Sequence, residues 1–163
     1  MKLLFYSFLI LTLFFAACNG EKTAEKMAED AIEKQTGEDA DVNIEDGNAE
    51  VKTEDGKTEF STGGSADIPD DFPEDIFICN DAKIQSSAAA QGNFALEYIS
   101  QNSADDLLDK YMSEMKANDW KVKGEENRTD ERLRAFSKDG RSTGITISEE
   151  DNHTKVSILT GKD

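Results

Sequence analysis

One segment in which apolar residues have helical spacing, set among segments with the alternating pattern of strands, constrains the fold of this chain more than any other feature. Ser103 and Asp106 form a capping-box-like pair at its start, and Asn118 is its predicted end. In between, apolar residues recur at intervals of three and four along one helix face, namely Leu107, Leu108, Tyr111, Met112 and Met115. This spacing predicts one amphipathic helix that buries one side.

Short extended segments flank that helix on both sides. They are predicted at 76–79, 82–85 and 92–100 before it, and at 120–123, 132–137, 143–148 and 155–160 after it. The residues expected to be buried under the helix are Trp120, Leu133, Phe136, Ile145, Ile147, Val156 and Ile158. The pattern therefore predicts an α+β domain over residues 76–163, a mostly antiparallel sheet covered by one amphipathic helix.

The region before that domain carries two further patterns. Residues 23–35 have alanine-rich helical spacing, and residues 41–60 alternate between apolar and polar positions around two Asp-Gly steps, Asp46-Gly47 and Asp55-Gly56. We expect a short helix followed by a three-stranded β-meander, which together make residues 18–60 a tether. A Gly/Pro linker is predicted at 61–75, since that segment holds both prolines of the chain.

The first residues have the order of an export signal. Lys2 is followed by an apolar run from Leu3 to Phe15, which is too short to span a bilayer as a helix, and then by Ala16, Ala17 and Cys18. This order resembles the bacterial lipobox. The resemblance implies that residues 1–17 are a signal peptide, that Ala16 and Ala17 flank the cleavage site, and that Cys18 carries a diacylglyceryl thioether. A plain secretory signal is the alternative.

Charge narrows the choice of partners. The net charge is −17, with 35 acidic residues against 18 basic ones, and no cluster of Lys and Arg stands out. Such a chain repels nucleic acid and anionic lipid headgroups, so nucleic acid binding is excluded as a function. An acidic surface favours cationic partners, although it is most often simply a solvated surface.

Catalytic signatures are sparse. His153 is the only histidine and falls in a polar turn, which excludes His-based triads and His-rich zinc sites. After lipidation of Cys18, Cys79 is the one remaining cysteine, and its apolar context predicts a buried thiol. We predict no cofactor and no catalytic residue. A hydrolase that uses unassigned carboxylates is the alternative from another class.

Two groups of acidic residues are candidate calcium sites. Asp39, Asp41, Asn43 and Glu50 match four positions of a calcium loop, but Ile44 stands where the sharp turn requires glycine. The acidic turn of Glu149, Glu150 and Asp151 is the candidate for a looser contact. Clustered acids in a turn usually serve solubility, so no metal site is predicted.

A short motif precedes the domain. Residues 68–75 read Ile-Pro-Asp-Asp-Phe-Pro-Glu-Asp, followed by an extended segment, a capped helix, a Trp and several strands. This order resembles a group of uncharacterised bacterial lipoproteins whose soluble domain opens with an Ile-Pro-x-Asp-Phe-Pro stretch. The resemblance covers roughly residues 67–160 and implies the fold, but no activity.

Taken together, these features predict a lipid-anchored protein of the bacterial cell envelope that acts as a non-catalytic binding module. Its partner is expected to be an envelope protein, with a cationic one favoured by charge. In bacteria that sort lipoproteins by the residue after the lipidated cysteine, Asn19 rather than Asp resembles the residue found in outer-membrane lipoproteins. Whether the protein is exposed on the periplasmic side or on the cell surface is left open. The alternative within binding is an acidic inhibitor of a cationic envelope enzyme such as a lysozyme.

Overall fold

A computed structural model describes residues 21–37, 39–45, 48–53, 56–62 and 66–162. The chain is mostly sheet, with two helices and nine strands in the described part. In chain order the elements are α1 (Glu21–Thr36), β1 (Asp41–Glu45), β2 (Asn48–Thr53), β3 (Gly56–Thr62), β4 (Lys83–Ala90), β5 (Asn93–Ser100), α2 (Ala104–Ala117), β6 (Lys121–Asn127), β7 (Glu131–Lys138), β8 (Arg141–Glu150) and β9 (His153–Lys162). Neither described helix is long and apolar enough to cross a membrane.

All nine strands form one antiparallel sheet in the order β1-β2-β3-β4-β5-β9-β8-β7-β6. The chain first runs as a meander from β1 to β5. It then crosses through α2 to the far edge and returns as a second meander, so that β9 pairs with β5. The antiparallel sheet and the preceding helix and meander are confirmed. The two helices belong to separate hydrophobic clusters, so the fold is not simply a sheet under one helix.

The predicted helix at residues 103–118 is confirmed. Ser103 is its N-cap, and its Oγ accepts a hydrogen bond from the Asp106 backbone N–H at 3.2 Å. Asn118 is the C-cap. The buried face of α2 packs in the main core with inward residues of β5, β7, β8 and β9; this core includes Leu107, Tyr111, Met115, Leu96, Tyr98, Phe136, Ile145, Ile147, Val156 and Ile158.

Two hairpins of the main sheet turn on two residues each. Gln91-Gly92 joins β4 to β5 and Asp139-Gly140 joins β7 to β8, and all four residues have positive φ. Positive φ at both central positions defines the turn whose twist matches that of paired strands. The residues that flank Asp139-Gly140, Lys138 and Arg141, are direct cross-strand partners and lie on the same face of the sheet.

The prediction that Leu133 is buried is wrong. Its side chain is 37 % exposed, whereas Arg134 is only 5 % exposed. Phe136 fixes the inward positions of β7, and alternation then turns Arg134 inward and Leu133 outward. Buried Arg134 donates to the Glu126 carbonyl and to Asn127 Oδ1, and its Nε lies 3.6 Å from Glu125.

Two further predictions about extended segments need correction. Residues 76–79 are not a strand; backbone bonds from Ile76 to Pro73 and from Ala82 to Cys79 bracket a turn-rich segment there. β4 continues to Ala90, five residues beyond the predicted 82–85, because pairing on both sides stabilises a Ser- and Ala-rich sequence with low strand propensity.

Helix α1 protects the outer edge of β1. Ala28 and Ile32 pack on Val42, while Glu29 accepts a hydrogen bond from the Val42 N–H at 3.2 Å and Glu25 accepts one from the Ile44 N–H at 3.0 Å. Four helical residues rise by about 6.0 Å and two strand residues by about 6.6 Å, so the spacing of the two carboxylates matches that of the two amides. The unpaired N–H groups of an edge strand, which otherwise invite pairing with another chain, thus have partners.

The predicted meander is continuous with the main sheet. Glu45 pairs with Asn48 and Thr53 with Gly56, so Gly56 belongs to β3; Asp46, Gly47 and Asp55 lie outside the described residues. β3 in turn pairs with β4. The division into a tether at 18–60, a linker at 61–75 and a domain at 76–163 stays a prediction, although strands on both sides of that linker share one sheet.

Candidate functional site

The predicted lipidation site cannot be placed in the fold, since Ala16, Ala17 and Cys18 lie outside the described residues. The acidic turn can be placed. Glu149 and Glu150 end β8, opposite Thr154 and His153 across the β8–β9 hairpin. His153 Nε2 lies 2.9 Å from Glu150 Oε2, which ties the histidine to one acid. In the described part of the chain, no group of three His, Cys, Asp or Glu side chains is arranged to hold a metal ion.

Three of the four residues that matched a calcium loop belong to two paired strands, and Asp39 precedes the first of them. Asp41 and Asn43 are exposed on β1, and Asn43 is opposite Glu50 of β2. The Glu50 carboxylate lies 2.6 Å from the ammonium groups of Lys52 and Lys57. Both hydrogen bonds lower the pKa of Glu50, and the one from Lys52 has the larger effect. Its charge is thus already balanced by two ammonium groups, which makes it a poor calcium ligand.

Cys79 is buried, as predicted, with 5 % of its surface exposed. Burial raises the pKa of its thiol, and hydrogen bonding to Asp81 acts in the same direction. Beside it, the Tyr98 and Tyr111 hydroxyls are 2.7 Å apart in the core. A buried thiol with a raised pKa is a poor nucleophile, so this group contributes to packing rather than to chemistry.

Asp75, the last residue of the Ile-Pro motif, holds that segment against the sheet. Its carboxylate accepts hydrogen bonds from Arg141 at 2.6 and 2.9 Å and from Lys138 at 2.7 Å. Its backbone carbonyl accepts from Trp120 Nε1 at 3.1 Å and from Asn118 at 3.2 Å. The Arg141 guanidinium also lies 4.9 Å from the centre of the Trp120 ring. The motif therefore has a structural role in locking the β7–β8 hairpin.

This lock predicts a pH-dependent stability. The pKa of the Asp75 carboxyl is lowered from its ordinary 3.8 to about 2. The hydrogen bond from Arg141 has the largest effect and that from Lys138 a smaller one, while burial acts in the opposite direction. A lowered carboxyl pKa stabilises the fold above about pH 4, and the stability is lost as the pH falls toward 2. We expect Asp75→Asn to lower the free energy of unfolding by about 1 to 2 kcal/mol at pH 6, allowing for solvent screening, and by much less near pH 2.

Urea unfolding of both proteins across this pH range measures the difference. Asp70→Asn, at an exposed acid of the same motif, is the matched control and should leave stability unchanged at every pH. A deficit of Asp75→Asn that is the same at pH 6 and pH 2 would contradict the ionic lock.

Two hollows mark the surface of the sheet. One, of about 410 Å³, is lined by Asp119, Lys121, Lys123, Ser137, Lys138 and Asp139. Lys138 is already bound to Asp75, and the two acids offset the remaining lysines, so this hollow selects no particular charge. The other, of about 300 Å³, lies beside Leu159 and Gly144 on the central strands.

The second hollow belongs to the side of the sheet opposite α2. On that side α1 packs on the outer strands β1 and β2, through Val42 and Val51, and no described helix packs on β5, β9, β8 or β7 there. We call this uncovered part the open face: the side chains of β5, β9, β8 and β7 that point away from α2. Residues paired across a ladder point to the same side, so register defines its two central rows. The first row is Ala95, Leu159, Gly144 and Ala135; the second is Glu97, Ser157, Thr146 and Leu133.

Leu159 is the most prominent apolar side chain of the open face, with 65 % of its surface exposed. Gly144 is its direct partner on β8, and a Cβ added to Gly144 would meet nothing within 4 Å. A protruding leucine therefore stands beside a gap. Glu97 is the only charged residue of the two rows, and Lys155 neutralises it at 3.0 Å, so the face is nearly uncharged although the chain is strongly acidic.

Sequence reasoning did not find the open face. The signal was the adjacent apolar pair of Ile158 and Leu159, since alternation allows only one of them to point into the core. Ile158 is fully buried and Leu159 is exposed. Which side of β5, β9, β8 and β7 stays uncovered depends on the crossover of α2, and that connection is not encoded in any local pattern.

No protein family, no curated protein and no solved structure matches this chain. The resemblance to uncharacterised lipoproteins, drawn from residues 68–75, therefore stays a prediction.

Proposed function

We propose that this protein is a lipid-anchored component of the bacterial cell envelope, held in the outer membrane through Cys18, whose sheet acts as a non-catalytic binding module. The observation that carries the binding role is the open face, where Leu159 protrudes from a nearly uncharged surface. A contiguous patch of apolar and uncharged residues on an otherwise polar protein, here the row of Ala95, Leu159, Gly144 and Ala135, marks a site of interaction. The partner is a protein of the same envelope.

The fold supports this role. We regard residues 76–163 as an α+β domain in which α2 covers the side opposite to the open face, since α2 shares its core with Ile145 and Val156. In β5, β9, β8 and β7 the side under α2 thus supplies stability, and the open face is free for contact. α1 begins only three residues after Cys18, a distance of at most about 10 Å, which would hold the β1 edge near the membrane.

Photo-crosslinking in living cells tests the proposal. A crosslinking amino acid at Thr146, in the centre of the open face, should give a discrete protein adduct that depends on the anchor and is lost in a Cys18→Ala chain. The same amino acid at Lys110, exposed on α2 and away from the open face, is the matched control. If neither position yields an adduct above background, or if Lys110 gives the same adducts as Thr146, the binding role of the open face fails.

A further inference from the structure

We propose that the partner of the open face is a second copy of this chain, packed sheet against sheet about a two-fold axis. This inference rests on the proposed function, because it assigns the occupant of the same face. It follows from the order of residues along the two rows. A two-fold interface requires a surface that is complementary to itself.

The axis runs parallel to the strands, midway between β8 and β9. Rotation about it exchanges β9 with β8 and β5 with β7, because the sheet order is β5-β9-β8-β7. Leu159 of each copy then faces Gly144 of the other. The protruding leucine of one copy thus enters the gap of the second, and the same contact is made twice.

The remaining positions of the two rows are also compatible. Ala95 faces Ala135 and Ser157 faces Thr146, so small apolar groups meet small apolar groups and hydroxyls meet hydroxyls. Glu97 faces Leu133, where it keeps its contact with Lys155 on its own copy. No like charges meet within the rows. Small side chains allow two sheets to approach to about 10 Å.

Size and charge set the strength of the contact. Four strands of eight to ten residues cover roughly 600 Å² on each copy, which lies near the lower limit for a stable complex. A net charge of −17 on each chain opposes association at long range, but salt screens it over about 8 Å. Anchoring in one membrane raises the effective concentration and offsets the small area. The dimer is therefore weak in solution and favoured at the membrane.

Cysteine crosslinking of the full chain in its own membrane tests the inference. Cys79 is buried and Cys18 is expected to be lipidated, so a cysteine introduced at Ser157 supplies a selectively accessible thiol. With a short bis-maleimide, Ser157→Cys should give a product of twice the chain mass. Lys110→Cys, on α2, should give little.

A second substitution separates docking from folding. Gly144→Val fills the gap that Leu159 enters, yet nothing in the chain lies near the added Cβ and the position does not have a positive φ. We expect it to leave the melting temperature unchanged or raised, and to lower the yield of the Ser157→Cys dimer about tenfold, the effect of losing one good apolar contact.

Each other outcome overturns the inference in a distinct way. A Ser157→Cys product with a different protein, and none at twice the chain mass, would retain the binding role of the open face but exclude the second copy. A dimer of equal yield from Lys110→Cys, or one that Gly144→Val does not reduce, would mean random collision in the membrane. No protein product at all would overturn both this inference and the proposed function.

Discussion

A chain with Cys18→Ala should incorporate no fatty acid and should leave the detergent phase in a phase-partitioning experiment, whereas the native chain should be labelled and partition with detergent. The reason is that Cys18 supplies the thiol for the lipid, and Ala has no group that replaces it. Each buried methylene of an acyl chain contributes about 0.8 kcal/mol, so two or three chains hold a protein on the membrane stably. Cys18→Ala should therefore reduce both the fatty acid label and the detergent partitioning from complete to none.

Cys79→Ala is the matched control, because Cys79 is the only other cysteine and is buried in the core. It should keep both the fatty acid label and the detergent partitioning. Labelling of the Cys18→Ala chain would show that the lipid is attached elsewhere. An unlabelled native chain would support a plain secretory signal instead.

Trp120→Ala should destabilise the domain by about 3 to 5 kcal/mol, a large part of the 5 to 15 kcal/mol that stabilises a typical domain. Trp120 is only 2 % exposed and packs in the main core. Its indole N–H also bonds to the Asp75 carbonyl, and its ring contacts the Arg141 guanidinium. The substitution thus leaves a cavity and loosens the lock between the Ile-Pro motif and the β7–β8 hairpin.

Urea unfolding followed by far-UV circular dichroism measures this effect, since removal of the single tryptophan abolishes the fluorescence signal. Leu159→Ala is the control, because it removes a large apolar side chain that is exposed; it should change the free energy of unfolding by less than about 0.5 kcal/mol. Trp120→Phe should lie between the two. A loss below 1 kcal/mol for Trp120→Ala would contradict the role given to this residue.

The local elements of the fold were predictable because their signals are local. Ser103 has the side chain that caps a helix, and the spacing of Leu107, Tyr111 and Met115 fits one helical face. Alternation around Ile145 and Ile147 likewise identified β8. These patterns depend on residues within a few positions of each other, which is the range that sequence inspection covers well.

The sequence predictions were wrong or incomplete at residues whose conformation or burial is decided by a tertiary contact. Ser86 to Ala90 form a strand because β3 and β5 pair with them on both sides, and no local preference indicates this. Leu133 is exposed because the register of Phe136 fixes the face of β7. The contact of Glu25 and Glu29 with the edge of β1 depends on how the helix docks, which spacing within the helix does not specify.

The candidate site shows the same limit. The row of Ala95, Leu159, Gly144 and Ala135 draws one residue from each of four strands, and only the register brings them together. The proposed lipid anchor is the opposite case, since Ala16, Ala17 and Cys18 are contiguous and the sequence alone is enough to predict lipidation there. The site on the sheet therefore required the fold, and the proposed anchor did not.

Mass spectrometry of the N-terminal peptide from the protein purified out of its own membrane is the most direct test of the central claim. We expect a mature chain that begins at Cys18, with a diacylglyceryl group on its sulfur and Asn19 as the second residue. A peptide that begins at Met1, or one that begins near Cys18 with an unmodified thiol, would contradict the lipid anchor on which the proposed function rests.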